Sequence, residues 1–197
     1  SPHPPNPDTD ETSMISGKTR LIAHIGYPTE SFKAPLIYNP WFEQQGIDAV
    51  VVPMGVRADD YAGVLASLRK LTNIHGALVT MPHKVTTVAL LDEASTTVKI
   101  AGSCNALRFT SDGRLVGDMF DGTGFVRGLM RKGLTLRGAT CLVVGAGGVG
   151  SAIAASLAAE GPAAITVCDT DSAAADGLAA RLRQHYPGID VRVGSND

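Results

Sequence analysis

Cysteine is scarce in this chain and badly placed for stapling a fold. Its three cysteines, Cys104, Cys141 and Cys168, are odd in number and scattered, and the last two lie in apolar, strand-like runs. Disulfide frameworks and metal sites need clustered cysteines at set spacings. All three therefore read as small core residues in a reducing compartment, with no metal site expected. Charge of one sign is lacking too. A net charge of −2 and a pI near 6.2 leave no broad basic surface to grip nucleic acid or an anionic membrane. No apolar run reaches the ~20 residues that a membrane span requires. The N-terminus is polar rather than basic-then-apolar, so no secretory signal is read there. The expected setting is cytoplasmic, with a small-molecule substrate and a homodimer as the expected associations.

What the chain does have is apolar bulk: 44% of its residues are hydrophobic, enough for a sizeable core at this length. Residues 1–17, with four prolines and few apolar side chains, read as a disordered leader. From there the pattern alternates. "RLIAHIG" (20–26) and "DAVVVPMGV" (48–56) read as strands, and "APLIYNPWFEQQG" (34–46) as the helix between them. "YAGVLASLRKLTN" (61–73) reads as an amphipathic helix with Leu65, Leu68 and Leu71 inward. "GALVTMP" (76–82) is a third strand, "VTTVALLDEAS" (85–95) a short helix and "GSCNALRFT" (102–110) a strand before the turn "SDGR". Strand–helix–strand alternation implies parallel crossovers and an α/β sheet.

A second unit begins at Asp121, giving two α/β domains, 18–120 and 121–197. Its helix 122–133 leads to "ATCLVVGAGGVGSAIAASLAAEG" (139–161), read as a buried strand, a glycine turn and an alanine-rich helix. The strand 163–169, the helix 172–186 and the strand 190–193 follow. This unit is about half of a six-stranded doubly wound domain, so the domain reads as incomplete at the C-terminus.

Within it, Gly145, Gly147 and Gly150 match G-x-G-x-x-G, with Ala146, Gly148 and Val149 between them. The match follows a strand and opens a helix, which is the context that gives the motif meaning. The first glycine allows the tight turn, the second lets backbone approach a pyrophosphate, and the third lets helix pack on strand. The helix start offers free N–H groups to phosphate. Asp169 stands 24 residues past Gly145, near the ~20 expected of the acid that takes a ribose 2′-hydroxyl. Thr170 and Asp171 follow, and no arginine stands from 170 to 180 to receive a 2′-phosphate. NAD is therefore the expected cofactor, in preference to NADP. A cap on the following helix is the plainer role for Asp169.

"VTMPHK" (79–84) ends a strand at a proline and presents a lysine. A lysine there is ordinarily a solvated charge. Read with "GYPTESFKAP" (26–35), "AGSCNAL" (101–107), "GDMFDGTG" (117–124) and "GAGGVG", in that order and spacing, it resembles the shikimate dehydrogenase family from about residue 20 onward. The resemblance implies a substrate domain followed by a Rossmann-type domain. It implies an NAD-dependent alcohol dehydrogenase of the shikimate or quinate type, in aromatic amino acid biosynthesis or quinate/shikimate metabolism. Lys84 and Asp121 are then the catalytic pair, with Asn105 and Thr80 at the substrate. His83, beside the lysine, reads as a packed ring.

The chain also departs from the family pattern. Phe32 and Ala34 stand where the family carries two serines, Leu78 where it carries an asparagine, and Met119–Phe120 where it carries asparagine–threonine. With Phe32 and Phe120 at the pocket, a substrate less polar than shikimate is expected, because buried polar groups need partners. Two functions stay open: an NAD-dependent oxidoreductase acting on a cyclic secondary alcohol, and an NAD-binding regulatory or sensor module without turnover.

Overall fold

The structure, a computed structural model, describes residues 15–194. Most of the expected leader, residues 1–14, lies outside them. Two sheets form. The first has six strands in the order β2-β1-β3-β5-β6-β4. Strands β1 (Arg20–Gly26), β2 (Ala49–Gly55) and β3 (Ile74–Val79) are parallel, as alternation with helices α1 (Ala34–Gln44) and α2 (Tyr61–Leu68) demands. Beyond β3 the sheet becomes mixed. Strand β5 (Ala106–Phe109) runs antiparallel to β3 and forms a hairpin with β6 (Leu115–Asp118), and the short β4 (Glu93–Ala94) closes the edge alongside β6.

This last stretch corrects the sequence reading. The helix expected over 85–95 is only α3 (Lys84–Val88). It stops because Asp92 is drawn into the hairpin, where its carboxylate accepts the Leu115 N–H at 2.6 Å and an Arg69 N–H at 2.8 Å. A further helix, α4 (Thr96–Ala101), was not anticipated. Ser95 caps its start by accepting the Val98 N–H, and Gly102 ends it in the left-handed region at φ +65°. Strand β6 was not anticipated either. Strand β3 ends at Val79 rather than Pro82, and α2 ends at Leu68, so Leu71 is exposed.

The inner face of this sheet carries Ala23, Ile25, Ala77, Val79, Leu107 and Leu115 and packs against Tyr61, Leu65 and Leu68 of α2. On the other face, α1 buries Phe42 but leaves Leu36, Ile37 and Trp41 exposed.

The second sheet is parallel, β7 (Thr140–Val144), β8 (Ala164–Cys168) and β9 (Asp190–Val193) in that order. Helix α5 (Asp121–Arg131) leads into it, and α6 (Gly148–Ala159) and α7 (Ser172–His185) connect the strands. Strand β7 was expected to be buried, yet Leu142 and Val144 are exposed, because among the described residues β7 pairs with β8 alone and one of its faces is uncovered. The two cores interlock: Ala152 of α6 belongs to the first cluster and Ile100 of α4 to the second. Among the described residues no helix is long and apolar enough to cross a membrane.

Candidate active site

Lys84 and Asp121 are each the first residue of a helix, α3 and α5. They lie 37 positions apart in sequence, yet Lys84 Nζ donates to Asp121 Oδ2 at 2.8 Å. The other carboxylate oxygen, Oδ1, accepts from Asn105 Nδ2 at 2.7 Å. The Asn105 carbonyl oxygen accepts the Phe120 N–H at 3.0 Å. Both ends of the amide are thus used to fix Asp121 and the turn before it. Backbone bonds hold the frame: Cys104 N–H donates to Lys84 C=O at 2.9 Å, and Asn105 N–H to Asp118 C=O at 3.1 Å. The lysine and aspartate side chains keep 25% and 32% of their exposure, so the pair is reachable from solvent while partly shielded from it. An ammonium has three donors. One is on Asp121, and the group can present another to a substrate oxygen.

His83 is 1% exposed and takes no part. Its ring stacks on Tyr61 at 4.1 Å, and Nε2 meets the Val56 carbonyl at 2.8 Å. A carbonyl only accepts, so Nε2 carries the proton. Thr87 Oγ1 donates to His83 C=O at 2.8 Å, which leaves the Tyr61 hydroxyl as donor to Thr87 at 2.7 Å. Burial pushes the Tyr61 phenol up to about 12. This buried network anchors the turn from which Lys84 projects.

Thr80 is half-buried, and its N–H donates to Ile25 C=O. Phe32 lies beside it: a Cβ added at Gly26 would overlap the Thr80 methyl and come within 2.8 Å of the Phe32 ring tip. Phe32 also packs on His24, ring centroids 4.2 Å apart. His24 was missed in the sequence. It is buried, its Nδ1 has no partner among the described residues, and burial pulls its imidazole below the usual value. Only its place in an apolar strand could have drawn attention to it. Leu78 pairs with His24 across β1 and β3 and with Ala106 of β5. Ala34 begins α1, half-buried. Phe120 is half-exposed beside Asn105, whereas Met119 turns into the first core at 2% exposure. The substituted positions therefore do not all face the same way.

The glycine turn has the geometry its motif requires. Gly145 has φ +103°, where a side chain would be strained. A Cβ on Gly150 would overlap the Gly145 carbonyl, so only glycine lets α6 start this close to β7. Gly147 is the N-cap and offers no side-chain cap; Gly147, Gly148 and Val149 are exposed. Asp169 accepts the Ala146 N–H at 2.5 Å and the Asp171 N–H at 2.8 Å. These N–H groups, Ala146 first, hold its carboxyl below the usual range. Thr170 is exposed next to it. The cap on α7 is Asp171, which accepts from Ala173 and Ala174, and not Asp169. Cys104, Cys141 and Cys168 are free, and burial pushes Cys104 up to about 11.

Turn and triad are brought together by helix packing. The Gly122 backbone lies directly against Ala152 of α6, and Ser103, two residues before Asn105, lies near Gly148, where an added Cβ would be 3.9 Å from its Oγ. Arg181 of α7 donates from Nε to the Ile100 carbonyl of α4 at 2.7 Å.

These features define a two-domain α/β chain of the dinucleotide-binding type, with a lysine–aspartate–asparagine cluster at the domain junction. Residues 24–107 match the family model described as shikimate dehydrogenase substrate binding domain, and residues 129–193 match that of the ThiF family. Shikimate dehydrogenase (NADP(+)) of Acidiphilium cryptum is 37% identical over 84% of this chain and 59% of that protein. Shikimate 5-dehydrogenase from Listeria monocytogenes, solved with shikimate and NAD, superposes with a TM-score of 0.83 at 27% identity, over 91% of this chain and 62% of that one. Quinate dehydrogenase from Corynebacterium glutamicum, solved with NAD, gives 0.77 at 27% identity over 89% and 64%. Residues 24–107 thus match the shikimate dehydrogenase substrate-binding domain, and the chain as a whole is similar to shikimate dehydrogenases. It spans about three fifths of the length of the curated relatives it matches.

Proposed function

We propose that the chain is the substrate domain and the first part of the cofactor domain of a nicotinamide-dependent alcohol dehydrogenase of the shikimate dehydrogenase type. The observation that carries this reading is the Lys84–Asp121–Asn105 cluster, partly exposed and joined by helix packing to the glycine turn. The residues fit a dinucleotide: the N-cap brings no side chain of its own, Gly147 to Val149 are exposed, and Gly145 and Gly150 are held to glycine by backbone angle and by close contact. Gly145 to Gly150, with Asp169 and Thr170, would hold it. A bound nicotinamide would supply hydride transfer to or from the carbinol carbon. Lys84 passes a proton between its nitrogen and the substrate oxygen, and Asp121 keeps it in place. Such proton transfer contributes about 10²–10⁴ in rate.

NAD is the preferred cofactor in this reading, because the Asp169 carboxylate would repel a 2′-phosphate. Relatives differ on the point: the curated ones are named for NADP(+), while solved ones hold NAD or NADP+. Calorimetric titration is expected to give NAD at least about tenfold tighter binding than NADP, an arginine-free, acid-bearing strand end being the NAD pattern. Asp169→Ala should narrow the gap, and equal wild-type affinities would remove the argument.

The substrate is a cyclic secondary alcohol or its ketone, less polar than shikimate. Phe32 beside Thr80, and Phe120 beside Asn105, support this, since neither offers a partner to a carboxylate. The test is cofactor reduction by the full-length protein across a panel of cyclic alcohols and hydroxy acids. Turnover is expected, weakest with shikimate, and Lys84→Ala should abolish it while leaving NAD affinity intact. A variant keeping more than about a tenth of wild-type kcat would show that Lys84 is not the proton-transfer group. Tight NAD binding with no turnover on any member would point to the sensor function instead.

A further inference from the structure

Ser103 is 1% exposed, and its hydroxyl has no hydrogen-bond partner among the described residues. It lies between Gly102, which ends α4, and the Cys104–Asn105 step that leads into the triad. The hydroxyl lies near the N-terminus of α6: a Cβ built on Gly148, the first residue of that helix, would lie 3.9 Å from Ser103 Oγ. Ser103 is thus a substrate-domain residue placed against the cofactor-domain turn.

A buried hydroxyl without a partner carries the desolvation penalty of an unmade bond. Folded chains keep such groups where something else satisfies them. The other buried serine nearby, Ser151, donates to Ala146 C=O at 2.8 Å and is accounted for. The end of α6 presents N–H groups and a partial positive charge, a setting that draws an anion. A serine hydroxyl turns about one bond and can donate to such an anion alongside those N–H groups.

We infer that Ser103 belongs to the dinucleotide site and donates its hydroxyl to the diphosphate held at the start of α6. Through it the substrate domain senses an occupied turn, because the same segment carries Asn105 and hence Asp121. This inference rests on the dinucleotide reading above.

The test is Ser103→Ala in the full-length protein, followed by calorimetric titration with NAD and with ADP-ribose, which keeps the diphosphate and lacks the nicotinamide. A hydrogen bond to a charged group predicts a loss of about tenfold or more in affinity for both ligands. The ligand-free variant should melt no lower than wild type, because an unsatisfied hydroxyl has been removed. That melting measurement separates a lost contact from a damaged fold. Unchanged affinity in Ser103→Ala overturns the assignment while leaving the dinucleotide reading standing. A loss seen with NAD and absent with ADP-ribose also overturns it, since the diphosphate would not be the partner. If wild type binds neither ligand, the dinucleotide reading falls, and this inference with it.

Discussion

His24 shows what a single buried ring implies for acid stability. It packs at a tilt on Phe32, its Nδ1 has no partner among the described residues, and burial holds its imidazole below the ordinary value near 6.5. The native state therefore binds fewer protons at this ring than the unfolded state does. By linkage its contribution is complete above pH 6.5 and is lost as pH falls from there through the lowered folded value. Denaturant midpoints measured from pH 7.5 to 5 should decline, and His24→Phe, which keeps the aromatic contact, should flatten that decline. An equally steep decline in the variant would assign the acid sensitivity elsewhere. The same residue marks a limit of sequence reading. Lys84, Asp121 and Asn105 were legible because three separate motifs carried them. His24 belongs to no motif, and its isolation emerges only when Phe32 and the neighbouring strand close over it.

At the scale of elements, the segment from 85 to 118 is where sequence reading failed, and the reasons are specific. Val85, Val88, Leu90 and Leu91 suggested one continuing helix, but Asp92 is claimed by hydrogen bonds from residues more than twenty positions away. No local pattern announces such a claim. Helix α4 was legible in principle: Ser95 is a good N-cap residue and Gly102 a good stop. Six residues are too few for apolar periodicity to show, however. Local propensity also contributes little to so short a helix, so its caps and its packing must hold it. Ser95 both accepts from Val98 and donates to Asp118 at 2.7 Å. Ser95→Ala should lower unfolding free energy by about 0.5–2 kcal/mol, the usual range for a lost cap, and Ser95→Thr should restore most of it. Equal denaturant midpoints for wild type and Ser95→Ala would mean that packing on α6 and α7 suffices.

The strand–turn–helix run from 140 to 159 was read nearly to its ends, because apolar strand, glycine turn and alanine-rich helix are all local signals. How this unit meets the first was not legible, since helix-on-helix contact leaves no periodic trace. The junction depends on one small residue. Gly122 follows Asp121 and lies so close to α6 that an added Cβ would overlap the Ala152 carbonyl and crowd the Ser156 hydroxyl. Backbone cannot yield as a flexible side chain does, so α5 would have to move, and its first residue is the partner of Lys84. Gly122→Ala should therefore destabilise by about 1–3 kcal/mol through overpacking, and it should also depress cofactor-linked turnover by pulling Asp121 off the lysine. Gly124, on the same helix with open space around it, is the control. There the same substitution should raise stability by up to about 1 kcal/mol, the difference in helix propensity, and leave turnover unchanged. Chemical denaturation and steady-state rates on the two variants read both effects. If Gly122→Ala and Gly124→Ala behave alike, the α5–α6 crossing does not set the position of Asp121, and the link between domain packing and the lysine–aspartate pair is broken.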